Sequence, residues 1–349
     1  MKRKVLVLGY FGYENNQLDG QTVKTRNIYE LLKLKETEVN IKVKCFDTQS
    51  FKKNRFRIFS MLIAILKCNI LIYIPAQNNL KYFFPILFFL SRLFKIKIHY
   101  IVIGGWLSSF IENKPLHIRC LSTVNGIYPE TSDLILDLRD KYKFKNVYQL
   151  NNFRIHNFSV KNSKLIYSDS DNFKFVFFAR VHKMKGVDVI FELSQKFRIE
   201  ELKNIEIDIY GPLEANYEIE FYEQLSKYDN VNYKGILQNE KIYDTLENYD
   251  LMLFPTKFYT EGFPGSILDA YISGIPVIAS RWRYANEFIV NDFSGIITDF
   301  NNDQDFINKC LKIVREPDKI RILKKNVILQ RKKYSSELAW IIIKENVFL

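Results

Sequence analysis

The chain has 349 residues, 47% of them hydrophobic and 26% charged, the balance of a globular protein with room for two hydrophobic cores, which argues against disorder. Its four cysteines, Cys45, Cys68, Cys120 and Cys310, lie far apart with no paired spacing, which argues against a zinc site or a disulfide framework and for a reducing compartment. The net charge of +12 is carried by one half: residues 1–165 hold 27 Lys or Arg against 11 Asp or Glu, and residues 166–349 hold 24 against 28.

Met1-Lys2-Arg3-Lys4 leads into Val5-Leu6-Val7-Leu8, an apolar run too short for a secretory signal, which reads as a first strand. A loop over 9–21, containing Gly12 and Gly20, precedes a helix over 22–33 with Val23, Ile28, Leu31 and Leu32 free to face a core. A strand is expected over 39–46, a helix over 56–66, a strand over 69–74 ended by Pro75, a very apolar helix over 80–94 and a strand over 97–103. Residues 48–111 contain nine basic residues and no acidic one, among them Lys52, Lys53, Arg55 and Arg57. Such a face wants an anionic partner, and apolar clusters accompany it without any nucleic-acid signature, so an anionic membrane surface is expected and nucleic acid is not. The segment 82–94, flanked by Lys81, Arg92, Lys95 and Lys97, has two readings: a core helix between strands, or an interfacial anchor. Its 13 residues fall short of the ~20 that a spanning helix needs. Peripheral attachment at the cytoplasmic face of a membrane is therefore expected.

Beyond Gly104-Gly105-Trp106, a helix over 132–141 and a strand over 147–150 close a first domain, 1–160. The polar run 159–172 reads as a linker, in which Asp169-Ser170-Asp171 are ordinary turn residues rather than a metal-binding triplet. A second domain over 170–330 repeats the alternation: strand 173–178, helix 186–195, strand 205–210, helix 218–227, strand 231–233, helix 240–247. A helix within 331–349 ends the chain and can cross back to the first domain. Alternation of this kind gives the fold class: α/β, two doubly wound Rossmann-like domains facing a central cleft.

The stretch 250–280 organises the second domain. Leu251-Met252-Leu253-Phe254 is a buried parallel strand, a helix begins at Pro264 and closes at Gly274, and Pro276-Val277-Ile278-Ala279 opens another strand. Between them Gly262, Phe263, Pro264, Gly265 and Ser266 present main-chain N–H groups at a helix N-terminus, which favours an anion. Glu261 and Asp269 flank that anion site. Each taken singly reads as a solvated loop charge or a charge near a helix start. Together they are suited to accept hydrogen bonds from hydroxyls on either side of the anion, which describes a diphosphate carrying two sugars. After the strand 173–178, Arg180 and Lys185 stand at the carboxyl end of a parallel sheet, where two fixed cations can neutralise a diphosphate leaving group without a metal; Lys183 reads as solvated. His99, His117, His156 and His182 show no spacing that marks a catalytic or metal pair.

Phe178-Ala179-Arg180 with Lys185-Gly186, Ile209-Tyr210-Gly211-Pro212, Val231-Asn232-Tyr233-Lys234-Gly235 and the stretch 250–280 together resemble the retaining GT-B glycosyltransferases of family four, the group 1 glycosyltransferases. The family's carboxylate pair with seven residues between is present as Glu261 and Asp269, the second an aspartate where the family has glutamate. The resemblance implies that Arg180 and Lys185 contact the donor diphosphate and that Glu261 and the amides from Phe263 to Ser266 address the transferred sugar. It further implies that Asp269 binds the ribose and that Gly235, Ile236 and Leu237 lie beside the base. Glu287 resembles a helix-start glutamate of the family. Gly20 resembles a glycine near the donor phosphates, with Asp19 where a second glycine is common, and Ile103-Gly104-Gly105-Trp106 lacks the histidine that many relatives carry there.

The implied activity is retaining, metal-independent transfer of a hexose from a nucleotide-sugar, a UDP-sugar, to a glycan acceptor that is lipid-linked, in cell-surface polysaccharide biosynthesis. The nucleotide-sugar is a co-substrate, and no cofactor or metal is expected. A sugar-nucleotide epimerase or phosphorylase on the same scaffold, and a non-catalytic membrane-binding paralogue, are the alternatives.

Overall fold

The computed structural model describes residues 2–14, 20–161 and 172–349; Asp19 and the Asp169-Ser170-Asp171 triplet lie outside them. The chain divides into two compact units, Met1–Ile155 with Tyr334–Leu349 and His156–Lys333.

In the first unit the strands β1 (Arg3–Gly9), β2 (Ile41–Asp47), β3 (Ile70–Ile74), β4 (Lys97–Ile101) and β5 (Gly126–Tyr128) form a parallel sheet in the order β2-β1-β3-β4-β5. All five residues of β3 are buried, as a strand covered on both faces requires. Alternate residues of β1 serve opposite layers. Val5 and Val7 pack with Ile28, Leu31 and Leu32 of the helix Gly20–Leu34. Leu6 and Leu8 join Met61 and Ile65 of the helix Arg57–Leu66 and Phe84 and Leu87 of the helix Phe84–Leu93. Residues of the C-terminal helix Ser336–Ile343 complete the first of these layers: Trp340 and Ile343 are buried there, and the Trp340 indole donates to Glu38 at 3.0 Å.

Three local expectations are corrected. The helix over 80–94 is two helices, Gln77–Tyr82 and Phe84–Leu93, because Pro85 has no N–H to extend the first and suits the opening turn of the second. The helix over 132–141 is a single α-turn, Ser132–Leu136, followed by a wider π-turn, Asp137–Lys141. The strand over 147–150 reduces to one bridge, Val147 to Ile127, since β5 is only three residues long before Pro129 and offers little edge to pair with.

The second unit holds β6 (Phe173–Phe178), β7 (Ile205–Tyr210), β8 (Val231–Gly235), β9 (Leu251–Phe254), β10 (Val277–Ser280) and β11 (Gly295–Thr298) in the parallel order β11-β10-β9-β6-β7-β8. The chain runs outward from β6 to β8, then returns to place β9 on the other side of β6. The order therefore reverses between β6 and β9, and at such a reversal the loops leaving the carboxyl ends diverge and open a crevice.

A buried ion pair stands out in the first unit. Lys24 Nζ lies 2.5 Å from Glu130 Oε1 and donates to the Val102 carbonyl at 3.0 Å, with the two side chains 2% and 5% exposed. It ties the helix Gly20–Leu34 to the segments that follow β4 and β5. Lys24→Met, which leaves the carboxylate buried without its cation, is expected to destabilise the protein by about 3–5 kcal/mol. Adding Glu130→Leu should recover most of that loss in urea unfolding. An equal loss in the single and double variants would show that the charge pair is not its source.

Candidate functional site

Because β6 and β9 are neighbours, with Phe175 opposite Leu251 and Phe177 opposite Leu253, the loops that leave their carboxyl ends emerge side by side. The β6 loop contains a tight 3-10 turn, Lys183–Lys185. His182 caps this turn: its Nδ1 accepts from the Met184 N–H at 2.9 Å, so the ring hydrogen sits on Nε2, 2.8 Å from Glu214. Gly186 ends the turn at φ +78°, and a Cβ there would lie 1.9 Å from the Pro255 carbonyl oxygen. Only glycine meets both demands. The Lys257 N–H, donating to the Met184 carbonyl at 2.9 Å, closes the seam between the two loops.

This contact delivers Lys185 to Glu261. The two form an ion pair, with side chains 21% and 18% exposed. The ammonium also lies 5.0 Å from the centre of the Phe258 ring and 5.8 Å from that of Phe254, so it is bounded by aromatic faces as well as by the carboxylate. Thr256 donates from Oγ1 at 3.4 Å to the same Glu261 oxygen, Oε1, that Lys185 contacts, and accepts from the Phe258 N–H at 3.2 Å. Glu261 is thus an ion-paired, partly buried group and not a solvated loop charge.

The helix Gly265–Ile272 begins directly after this loop. Its N-cap residue is Pro264, with extended backbone and no side-chain cap, and its first turn holds no acidic residue. Main-chain N–H groups and the positive end of the helix dipole therefore stand at this N-terminus without a side-chain cap from Pro264. The loop is held down by Phe263, which stacks on Phe288 with ring centres 4.3 Å apart. At the other end of the helix, Arg331 donates to the Ile272 carbonyl at 2.7 Å. Asp269 is 6% exposed in the second turn, so it is not a solvated charge either. Glu287 lies in the short helix Ala285–Phe288.

The turns after β7 and β8 are tied to the same end of the sheet. A Cβ on Gly211, whose φ is +142°, would lie 1.8 Å from the Ala179 carbonyl oxygen, and the Gly211 N–H donates to the Gly235 carbonyl at 2.9 Å. Gly235 has φ +75° with open space around it, and Ile236 after it is 63% exposed. The structure therefore gathers Arg180, Lys185, Glu261, Gly262–Ser266, Asp269, Gly235, Ile236 and Leu237 at the carboxyl end of one sheet, with Arg180 exposed to solvent. Gly20 belongs to the other unit, at the first position of its helix, where nothing within 4 Å would meet an added Cβ.

Several polar groups escaped the sequence reading. His182 finds Glu214 across 32 positions, a separation at which no spacing rule operates. Beneath the β7 and β8 ends, Asp208 accepts from Tyr249 at 2.7 Å and from Asn232 at 3.0 Å, and the Tyr249 hydroxyl, 3.1 Å from that of Tyr210, is pushed well above the usual tyrosine range by burial. His99 is buried, and burial pushes its pKa down to about 3; it is a neutral partner for the Tyr128 hydroxyl at 2.9 Å. Among the described residues, no group of three or more His, Cys, Asp or Glu is arranged to hold a metal ion.

Residues 161–330 match the family model of "Glycosyl transferases group 1". The capsular polysaccharide biosynthesis glycosyltransferase CapM of Staphylococcus aureus is 26% identical over 197 residues, 54% of this chain and 50% of CapM. The chain spans about half the length of the curated relatives it matches. Among solved structures, Anabaena Alr3699/HepE in complex with UDP superposes with a TM-score of 0.74 at 12% identity over 98% of both chains. Sucrose-phosphate synthase from Thermosynechococcus elongatus does so with a TM-score of 0.77 at 11% identity over 99% of this chain and 98% of that one. The fold is GT-B.

The close approach at Gly186 can be tested against the other glycines. Gly186→Ala combines a left-handed backbone with a main-chain clash and is expected to cost at least ~1–3 kcal/mol. Gly235→Ala, with the same backbone but open space, should cost about 1 kcal/mol, and Gly20→Ala nothing measurable or a slight gain. Urea unfolding of the three variants checks the order. Equal stability of Gly186→Ala and Gly20→Ala would remove the seam as a constraint.

Proposed function

We propose, on the premise that residues 161–330 belong to the group 1 glycosyl transferases, that the chain moves a hexose from a UDP-sugar to a glycan acceptor. We further propose that transfer proceeds with retention and without a metal ion, that the acceptor is lipid-linked, and that the product serves cell-surface polysaccharide. The observation that carries this reading is the meeting of Lys185 and Glu261 beside the uncapped N-terminus of Gly265–Ile272, one turn from the buried Asp269. The similarity to CapM supports the polysaccharide context, and the UDP held by HepE supports the nucleotide.

In this reading Arg180, Lys185 and the helix N-terminus receive the diphosphate, and Asp269 accepts from the ribose hydroxyls, with the base beside Gly235, Ile236 and Leu237. An ammonium carries three donors, so Lys185 can serve the diphosphate while still holding the Glu261 carboxylate. Charge that builds on the leaving diphosphate as the glycosidic bond breaks is then offset by fixed cations already in place, which is why no divalent ion is required. Glu261 holds the sugar hydroxyls and stabilises the positive charge of an oxocarbenium-like state, while the acceptor enters on the face the diphosphate leaves. The basic first unit brings the enzyme to the anionic, cytoplasmic face of the membrane that carries its acceptor.

Glu261→Gln keeps the size of the side chain and removes its charge. Turnover is expected to fall by roughly 100-fold or more, with UDP affinity little changed. Asp269→Ala should instead weaken UDP binding, with circular dichroism confirming that the variant is folded. Kinetics with a lipid-linked acceptor and calorimetry with UDP measure both, and native turnover in Glu261→Gln would refute the assignment. Activity abolished by a chelator and restored by manganese would overturn the metal-independent step. Formation of a new sugar-nucleotide without acceptor would identify an epimerase.

A further inference from the structure

The helices Arg57–Leu66 and Phe84–Leu93 both pack on the Leu6 and Leu8 face of the first sheet, through Met61 and Ile65 in one and Phe84 and Leu87 in the other. Their outward faces are apolar too. Phe59, Ile63 and Leu66, at helical spacing i, i+4 and i+7, are 61%, 52% and 41% exposed. Ile86, Phe89 and Leu93, at i, i+3 and i+7, are 57%, 61% and 74% exposed. A helix that is apolar on both sides belongs in a buried setting, yet these present two parallel-layer stripes to solvent.

The charges around the stripes name what covers them. Lys52, Lys53, Arg55 and Arg57 crowd the N-terminus of Arg57–Leu66, where the helix dipole favours acidic residues, and its first turn has none. Lys81 precedes the second helix, Arg92 stands in its last turn, and Lys95 and Lys97 follow it. Beside them opens a depression of about 250 Å³ lined by Arg92, Lys95, Lys97, Thr123 and Asn125. A second copy of this face would set cations against cations in an isologous contact. A bilayer with anionic headgroups supplies both an apolar layer for the stripes and negative charge for their ends. Each helix is ten residues long, about 15 Å, so it lies in the plane of the interface; among the described residues no helix is long and apolar enough to cross a membrane.

We propose that these two helices form an insertion face, with Phe59, Ile63, Ile86, Phe89 and Leu93 entering the headgroup and acyl boundary of an anionic bilayer and the basic residues at the helix ends gripping its phosphates. The inference rests on the membrane association proposed above and specifies its mode, insertion in addition to electrostatic attraction. The test uses the full chain and vesicles of phosphatidylcholine with or without 30 mol% phosphatidylglycerol (roughly the charge density of an anionic leaflet). Binding to the anionic vesicles is expected to survive in part at high salt. The quadruple change Phe59→Ser, Ile63→Ser, Phe89→Ser, Leu93→Ser, all at exposed positions, should weaken it at least ~10-fold at either salt concentration. Arg55→Gln, Lys81→Gln, Lys95→Gln together should weaken it at least ~10-fold at low salt only. A fluorophore on Phe89→Cys, in a Cys45→Ser background, should shift to the blue with anionic vesicles, and one on Ile219→Cys should not. Binding that salt abolishes and the apolar changes leave intact would overturn insertion while leaving the association standing. No binding to any vesicle would overturn both, and a dimer in sedimentation that the quadruple change dissolves would assign the face to a second copy instead.

Discussion

The close approach of Gly186 to the Pro255 carbonyl is the constraint from which the site in the second unit follows. Parallel pairing of β6 with β9 brings two loop origins together, but pairing alone leaves the loops free to splay. A residue at the end of the Lys183–Lys185 turn that has no Cβ and accepts a left-handed backbone lets one loop rest on the main chain of the other. His182 then caps the turn, Glu214 holds the His182 ring, and the Lys257 N–H grips Met184. The backbone of Lys185 is thereby set beside Glu261, and the Phe254 and Phe258 rings bound its ammonium.

The same logic explains what could be read from the sequence. Unbroken apolar runs such as Ile70–Ile74 and Leu251–Phe254 leave little choice but strands covered on both faces, and their alternation with helical segments leads to parallel sheets. The stretch that joins β9 to β10 was legible because glycines, a proline at a helix start and two carboxylates lie within a few residues of each other. Local chemistry of that sort is written contiguously. What escaped was chemistry that the fold assembles from afar: Lys24 with Glu130, His182 with Glu214, Asp208 with Tyr249. No periodicity links such positions, and each partner alone looks like an ordinary surface residue. The break at Phe83 escaped for a different reason, since Pro85 is as compatible with the first turn of a new helix as with a kink in an old one.

The buried polar groups differ in what they can contribute. Lys24 and Glu130, sealed from water, lock a helix to two strand ends and contribute mainly through the cost of separating them. Asp208 is surrounded by donors, and Tyr249, held neutral by burial and by that carboxylate, keeps its hydroxyl hydrogen aimed at it. Such closed networks hold the ends of β7 and β8 in place beneath the exposed Ile236 turn. Lys185 and Glu261 are the contrasting case: about a fifth exposed, they face each other and still reach solvent. Within the second unit, a closed network at the ends of β7 and β8 thus stands in contrast to a pair that keeps room to exchange partners.

The first sheet shows an asymmetry of another kind. One of its faces is finished by the chain itself: Trp340, Ile343, Val347 and Phe348 from the C-terminal segment close the layer around Val5, Val7 and Ile72, and Arg3 donates to the Phe348 carbonyl at 3.0 Å. The opposite face is finished only on its inner side. Its helices turn Met61, Ile65, Phe84 and Leu87 to the sheet and Phe59, Ile63, Phe89 and Leu93 to solvent. Burying the inner residues stabilises the fold, whereas the outer stripes gain nothing from water and add a hazard of aggregation. A helix face that only water touches ordinarily carries charged residues along its length. Charge is instead confined to the helix ends and is all of one sign from residue 48 to residue 111. Apolar stripes framed by cations are the complement of a surface that is apolar within and anionic at its rim, and a lipid leaflet has that construction.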